Sequence, residues 1–267
     1  MNDDAIATRL AGGRMNEDSD GAGRHERPEQ PKAALDRLLR ERHSCRAFVP
    51  DRVDRATIES IFTMAQQTAS WCNSQPWQVT IASGDAIERF RAALVDAASV
   101  ALSGGVSGSA SNSKSGIGDG SDFPFPAAYT GVYLDRRREC GFRLYDAVGV
   151  ARGDRAAYAR QALENFRLFG APHVAILTSD SGLGVYGAID VGGYAQILLL
   201  AMQAHGVAAI PQAAIAGYST LVKSLLNIPP ERMMVCGISF GYEDTAHRAN
   251  RYRTSRAKLD DVITWVE

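Results

Sequence analysis

Apolar residues along this chain recur with two periods, and the alternation between them marks its elements. From Pro31 onward, Ala34, Leu35, Leu38 and Leu39 stand at helical spacing. Pro31 opens the run, where proline's missing N–H costs nothing. This helix is expected to end near Arg42. Asp54 is placed to cap a second helix, in which Ile58, Ile61, Phe62 and Ala65 share one face. Residues 77–81 alternate and predict a strand. A third helix follows Asp85, with Ile87, Phe90 and Leu94 on its apolar side. Further on, 154–169 predicts a helix and 173–178 a short apolar strand. Residues 190–205 form the most hydrophobic helix, with Ile197, Leu198, Leu199, Leu200 and Met202 nearly all round it. A helix apolar on every face lies inside a protein or an interface. Gly206 stands where a C-terminal glycine ends a helix. Residues 207–212 and 233–240 read as strands, 218–226 as a short helix stopped ahead of Pro229 and Pro230, and the end of the chain as a strand or extension through Trp265.

Three stretches lack either period. Residues 1–30 are rich in Gly, Asp, Glu, Arg and Asn and predict a disordered tail. Residues 103–121 are a Gly/Ser/Asn run that cannot bury a core and predict a flexible insertion. Residues 123–153 mix Tyr129, Tyr133, Phe142 and Tyr145 with charge and read as a partly ordered lid with a short helix. The rest, 31–267, is expected to be a single domain. Helices come first and strands and helices then mix, without a regular βαβ alternation. Gly182-Leu183-Gly184 lacks the third glycine and the helix of a dinucleotide fingerprint, so a Rossmann fold is not expected.

Composition narrows the function classes. A chain of 267 residues, 45% hydrophobic, can bury a full core. A formal net charge of -1 gives no global field to recruit nucleic acid or an anionic membrane. Cys45, Cys72, Cys140 and Cys236 form no CxxC and no metal-ligand spacing, so neither a disulfide framework nor a metal site is expected, and a reducing cytoplasm fits. The histidines are scattered, without HExxH. No apolar run is read as long enough to span a membrane, and the polar start (Asn2, Asp3, Asp4) lacks a signal core.

The chemistry concentrates in two short runs. Arg42-His43-Ser44-Cys45-Arg46 sets two fixed positive charges around a hydroxyl, where a helix ends and a turn begins. Guanidinium forks and a hydroxyl donor make charge-assisted hydrogen bonds to phosphate oxygens. Asn73-Ser74-Gln75-Pro76-Trp77 is an amide-rich loop running into a strand, suited to the polar edge of a flat heteroaromatic ring. Together they point to a phosphorylated planar cofactor, with FMN the best candidate. FAD would call for an adenylate fingerprint that the chain lacks. Trp77 is read as core packing, and Cys45 and Cys72 as small buried residues. No Ser-His-Asp set or carboxylate pair is evident, which suits chemistry centred on the cofactor, with no catalytic side chain assigned.

These runs, with the long helix ending at Gly206, Pro211-Gln212 after the next strand and the arm Arg256-Ala257-Lys258-Leu259, resemble the FMN-dependent nitroreductase superfamily over residues 33–267. The segment 165–172 (Asn165 to Pro172) resembles the bacterial nitroarene reductases within it. The resemblance implies an α+β fold, with a mixed, mainly antiparallel sheet flanked by helices, and an intertwined homodimer with FMN at its interface. It implies that Arg42, Ser44 and Arg46 hold the FMN phosphate with Arg256 from the arm, helped by Arg253 more than by Arg251, and that His43 adds backbone or ring contacts. Ser70 and Asn73 would face the ribityl chain and ring edge. Pro211, Gln212, Ala213 and Ala214 would bring backbone N–H groups to the flavin, and Asn165 would be a polar contribution near the partner's site. NADH or NADPH would reduce the flavin, and a nitroaromatic or quinone-type acceptor would reoxidise it from the same site, in ping-pong order. Two departures stand out. Relatives often carry Glu-Gly where this chain has Ala213-Ala214, and small hydroxylated residues where it has Trp71 and Cys72, so Trp71 would narrow the pocket. Other flavin chemistry on the same fold (dehalogenation, ene reduction, flavin breakdown), or a flavin-binding protein with little turnover, stay open as alternatives.

Overall fold

The computed structural model describes residues 30–103 and 120–267. The expected tail and nearly all of the expected insertion therefore lie outside the described residues. Helix α1 (Pro31–Glu41) starts with its proline in the first turn and ends at Arg42, whose backbone N–H bonds back to Leu38. It buries no residue; Leu35 and Leu39 are exposed. Helix α2 (Arg55–Ala65) is capped by Asp54, whose carboxylate accepts from the Thr57 N–H at 2.9 Å and from its hydroxyl at 2.6 Å. Ile58, Ile61 and Ala65 turn inward.

Strand β1 (Gln78–Ser83), helix α3 (Asp85–Ser103), helix α4 (Gly131–Val148), helix α5 (Arg155–Leu163) and strand β2 (His173–Asp180) follow. Then come helix α6 (Gly184–Ala204), strand β3 (Ala208–Gln212), the single turn α7 (Ala213–Ala216), helix α8 (Ser219–Leu226) and strand β4 (Arg232–Gly241). The strands form one sheet in the order β1-β2-β4-β3. All three pairings are antiparallel, with Ile81 opposite Ala175, Ala175 opposite Ile238, and Ile210 opposite Ser239. The expected parallel component reduces to isolated bridges, Ser44 with Ala209 and Gly120 with Tyr218.

The sheet is the middle of three layers. Alternate residues of a strand face opposite sides. Ala175 and Leu177 of β2, with Ile238 and Phe240 of β4, face Ile61 of α2 and Tyr194, Leu198 and Met202 of α6. Val174 and Ile176, with Met234, face Phe90 and Leu94 of α3, Ile215 of α7 and Val222 of α8. A strand covered on both sides needs apolar residues at every position, and β2 is buried from His173 to Ser179. Each fully buried Leu or Ile in these layers contributes about 1.5–3 kcal/mol relative to exposure.

Several expectations change. Helix α6 begins six residues earlier than its apolar period indicates, because Gly184, Gly187, Gly192 and Gly193 blank the pattern. Gly187 is there for contact: a Cβ on it would overlap Ser179 Oγ of β2. With the turn before it, this helix forms a 24-residue stretch, Ser181–Ala204, holding an 18-residue window of mean hydropathy 1.4, long and apolar enough by those measures to span a membrane. That revises the sequence reading. Val191, Tyr194, Leu198, Leu199 and Met202 are buried against the sheet, so here its apolarity serves the core. Gly206, at φ +68, ends the helix as expected, with the Val207 N–H bonded to the Met202 carbonyl at 2.9 Å.

Residues 123–153 hold an 18-residue helix, α4, closed by Gly149 at φ +75, where only a short one was expected. Ser103 closes α3 at one edge of the expected insertion, and the chain is clamped at the other edge by Asp122. That carboxylate accepts from the Ser219 hydroxyl at 2.5 Å, Lys223 Nζ at 2.9 Å and the Met234 N–H at 2.7 Å. The expected final strand is absent among the described residues. After Gly241 there are short turns at Arg248–Asn250 and Leu259–Asp261, and Leu259, Val262, Trp265 and Val266 stand in solvent.

Candidate cofactor site

The run from Arg42 to Ala47 leaves α1 and lies along the outer edge of β3. The Cys45 N–H donates to the Ala209 carbonyl at 3.1 Å. Cys45 itself is fully buried, as expected of a packing residue, and burial pushes its thiol up to about 12. Asn250 clamps the run from the other side: its Oδ1 accepts from the Arg46 N–H at 2.7 Å, and its Nδ2 donates to the carbonyls of Ala47 and Asp244, each at 2.9 Å. His43 is tied down at both ring nitrogens, to Glu243 Oε1 and to the Glu41 carbonyl, each at 3.1 Å. Its side chain orients the turn and is spent in doing so.

The clamp opens a cleft of about 260 Å³. Arg40, Arg42, His43, Ser44, Arg46, Arg253 and Arg256 line it with Leu39, Tyr252 and Thr254, and among the described residues no carboxylate does. The Arg46 guanidinium lies 5.3 Å over the Tyr252 ring and donates to the Ser44 carbonyl at 3.2 Å. Arg253 holds the backbone carbonyls of Asn250 and Tyr252, and Arg256 those of Thr254 and Ser255 with the Thr254 hydroxyl. Arg251 turns away, to the Ala246 carbonyl. Burial, and then repulsion from Arg256, lower the Arg42 pKa. Guanidiniums gathered around a hydroxyl, with repulsion between two of them and no acid in the lining, can hold a phosphate dianion. The donor set therefore fits the phosphate of FMN.

The other expected residues fall into two groups. Gln212 is buried. Its amide donates to the Asn165 carbonyl at 2.7 Å and its oxygen accepts from the Ser239 hydroxyl at 2.5 Å. Only the Gln212 backbone is left for a cofactor. The Asn165 side chain bonds back to the Ala162 carbonyl at 3.3 Å, so Asn165 serves Gln212 through its backbone. Pro211 and Ala213 are exposed and Ala214 half-buried, at the start of α7. The first N–H groups of a helix have no acceptor within it, and here they belong to Ala213 and Ala214.

Ser70 and Asn73 sit on the loop before β1, in a stretch of unusual backbone. Cys72, Asn73 and Gln75 have φ of 51, 53 and 46°, a region that costs a non-glycine residue roughly 1 kcal/mol or more. Four anchors hold it. Ser70 Oγ accepts from the Gln75 N–H at 2.9 Å, and the Asp190 carboxylate accepts from the Trp71 N–H at 3.1 and 3.3 Å. Trp77 Nε1 donates to Gln66 at 2.7 Å, and the buried Arg232 donates to the Pro76 carbonyl at 2.7 Å. Trp77 is core, as expected, stacked on Tyr194 at 4.8 Å. Cys72 is exposed, contrary to expectation, because its left-handed backbone turns it outward.

This loop and the arginine cleft are not adjacent. Four strand spacings, roughly 19 Å, separate β1 from the Ser44 run outside β3. Gln78 aligns through Thr178 with Met234, whereas Ala209 aligns with Phe240, adding about 20 Å along the strands. The diagonal exceeds the reach of one FMN from phosphate to ring edge. Asn250, Asp190 and Arg232 give no local signal in the sequence, since each acts on a segment more than a hundred residues away.

Comparison with known proteins bears on the family and the fold. A family model described as the nitroreductase family matches residues 39–242. The chain is 37% identical over 230 residues to nitroreductase NfnB of Mycolicibacterium smegmatis, covering 86% of this chain and 91% of that protein. It is 30% identical over 225 residues to a 4-nitrobenzoate reductase of Pseudomonas putida, covering 83% and 91%. Its fold matches the crystal structure of the FMN-dependent nitroreductase NfnB from Mycobacterium smegmatis in complex with NADPH, with TM-score 0.78 and 35% identity over 89% of this chain and 100% of that one. The chain belongs to the nitroreductase family.

Proposed function

We propose that this protein is an FMN-dependent oxidoreductase that uses NADPH to reduce nitroaromatic or quinone-type acceptors, acting as a homodimer. The observation that carries the reading is the cleft of guanidiniums without a carboxylate, in which Arg42 is set against Arg256. Arg42, Arg46 and Arg256 would neutralise the phosphate, Ser44 would donate its hydroxyl, and Arg253 would fix the arm. When bound, FMN would supply the redox chemistry, hydride acceptance from NADPH and electron delivery to the acceptor. The backbone N–H groups of Ala213 and Ala214 would then stabilise charge on the ring edge, as an oxyanion hole does. No side chain of this chain is assigned a proton; water serves.

The separation of loop and cleft supports a dimer. Ser70 and Asn73 would reach the FMN held by the arginines of a second copy of the chain. Leu259, Val262, Trp265 and Val266, exposed here, would be covered by that copy, as would Val185 and Ile189 of α6. The relative crystallised with NADPH favours that reductant, and the aromatic substrates in the relatives' names favour an aromatic acceptor. A cytoplasmic location fits such a reductant.

The purified protein is expected to be yellow, to release FMN and no FAD on heating, and to bleach anaerobically with NADPH, recovering colour when nitrobenzene is added. A colourless protein that takes up no added FMN overturns the assignment. A yellow protein that NADPH does not bleach turns it into a flavin carrier.

A further inference from the structure

Beside the strained loop, two large aromatic rings stand in solvent where the fold had the means to bury them. Trp71 is 58% exposed and Tyr186, on the first turn of α6, is 55% exposed. Their ring centroids are 4.4 Å apart and their planes 69° from each other. Trp77, six residues on, is by contrast packed in the core on Tyr194. The exposed pair is an edge-to-face corner.

The corner is built, and the means are on both elements. Asp190 lies one helical turn after Tyr186, on the same side of α6. Its carboxylate takes the Trp71 N–H, which brings the loop down so that the indole meets the Tyr186 ring. The positive φ of Cys72, Asn73 and Gln75, the Ser70–Gln75 bond and Arg232 beneath Pro76 leave the loop no slack. Backbone of this kind persists only where the surroundings over-determine it, and it clusters at ligand sites. Aromatic pairs prefer offset-stacked or edge-to-face geometry, so a flat ring entering the corner can stack on one ring while meeting the edge of the other.

We propose that the Trp71–Tyr186 corner binds the aromatic ring of the acceptor and sets which acceptors the enzyme prefers. This rests on the flavin reading above, in which the same loop faces the cofactor of a second copy. Asn73, two residues beyond Trp71, then lies on the cofactor side of the loop, and the acceptor is held between the corner and the flavin. Flat rings gain from the corner; an acceptor without a ring gains nothing.

The test is steady-state and stopped-flow kinetics of the FMN-loaded dimer with NADPH, comparing nitrobenzene with ferricyanide, which has no aromatic ring. Trp71→Leu is expected to lower kcat/KM for nitrobenzene roughly five- to twentyfold, mostly through KM, as loss of an aromatic stack implies. Reoxidation of the reduced flavin by ferricyanide, FMN content and sedimentation are expected to stay at wild-type values. Trp71→Phe should recover most of the loss, and Tyr186→Leu, on a helix that folds without it, should show the same selective effect more weakly. Equal losses for both acceptors, or loss of the dimer, would overturn the proposal, placing the corner in the general support of the flavin site or in the subunit interface. So would unchanged nitrobenzene kinetics in both Leu variants. A wild-type protein that NADPH fails to bleach is a failure of the flavin reading, seen before any variant is made.

Discussion

At the scale of single residues, the cleft's arginines and two buried titratable groups make separate predictions. Arg42 is half-buried and is set against Arg256. Arg42→Ala and Arg256→Ala should each weaken FMN binding by about 1.5–3 kcal/mol, or roughly tenfold to over a hundredfold. Arg42→Ala should not lower the melting temperature of the FMN-free protein, because it removes a repulsion. Flavin titration and thermal melts check both halves. His173 is buried between β1, β2 and the loop before α2: Nε2 accepts from the Val53 N–H at 3.0 Å, so the Nδ1 proton goes to Ser83 Oγ at 2.6 Å. Burial, with Arg52 nearby, lowers its pKa below 6.5. The folded value lies below the unfolded one, so the neutral ring's contribution is complete above pH 6.5 and is lost as pH falls toward the folded value. Asp122 acts in a lower window. Burial pushes its carboxyl up, but hydrogen bonds from Ser219, Lys223 and the Met234 N–H outweigh that and hold it below 3.8. Its contribution is present above 3.8 and is lost as pH falls through the depressed value. Melts from pH 7.5 to 5 should therefore fall, and His173→Gln should flatten that part of the curve while leaving the steeper fall near pH 3.

At the scale of elements, the sheet and its helices are governed by close approach. Helix α6 can lie on β2 because Gly187 has no Cβ to meet Ser179. Gly187→Ala should push helix from sheet and cost about 1–3 kcal/mol, as overpacking does. Chemical denaturation with an unchanged m-value checks it. Loss of more than that, with flavin lost, would indicate that the shift reaches Asp190 and the loop it holds. The same glycine explains what was legible. The second half of α6 shows in the sequence because Ile197, Leu198, Leu199 and Met202 are apolar. Its first half does not, because Gly184, Gly187, Gly192 and Gly193 carry no side chain on which a period can be read. β2 was legible for the opposite reason: a strand covered on both faces is an unbroken apolar run. α4 buries no residue and so leaves little apolar period to find.

At the scale of the whole molecule, the tail from Leu259 to Val266 is an apolar arm that the described residues leave exposed. Ending the chain at Ala257 removes that arm while keeping Arg256. Sedimentation should then give a monomer, and flavin should be retained more weakly although every arginine of the cleft is present. A shortened chain that stays dimeric and yellow would remove the arm from the interface. The sequence by itself determined the local chemistry: the hydroxyl between Arg42 and Arg46, the amides of Asn73 and Gln75, the helix end at Gly206 and the strands of the core, because each depends on neighbours a few positions away. It also held the family resemblance that the comparisons bear out. Only the tertiary structure decided that Asn250 clamps Arg46, that Asp190 and Arg232 hold the loop at Trp71 and Pro76, and that Gln212 is spent on Asn165 and Ser239. Those bonds join residues that no periodicity relates. The distance between loop and cleft, too long for one flavin to span within a single copy, follows from strand order, and order is set by how the layers pack.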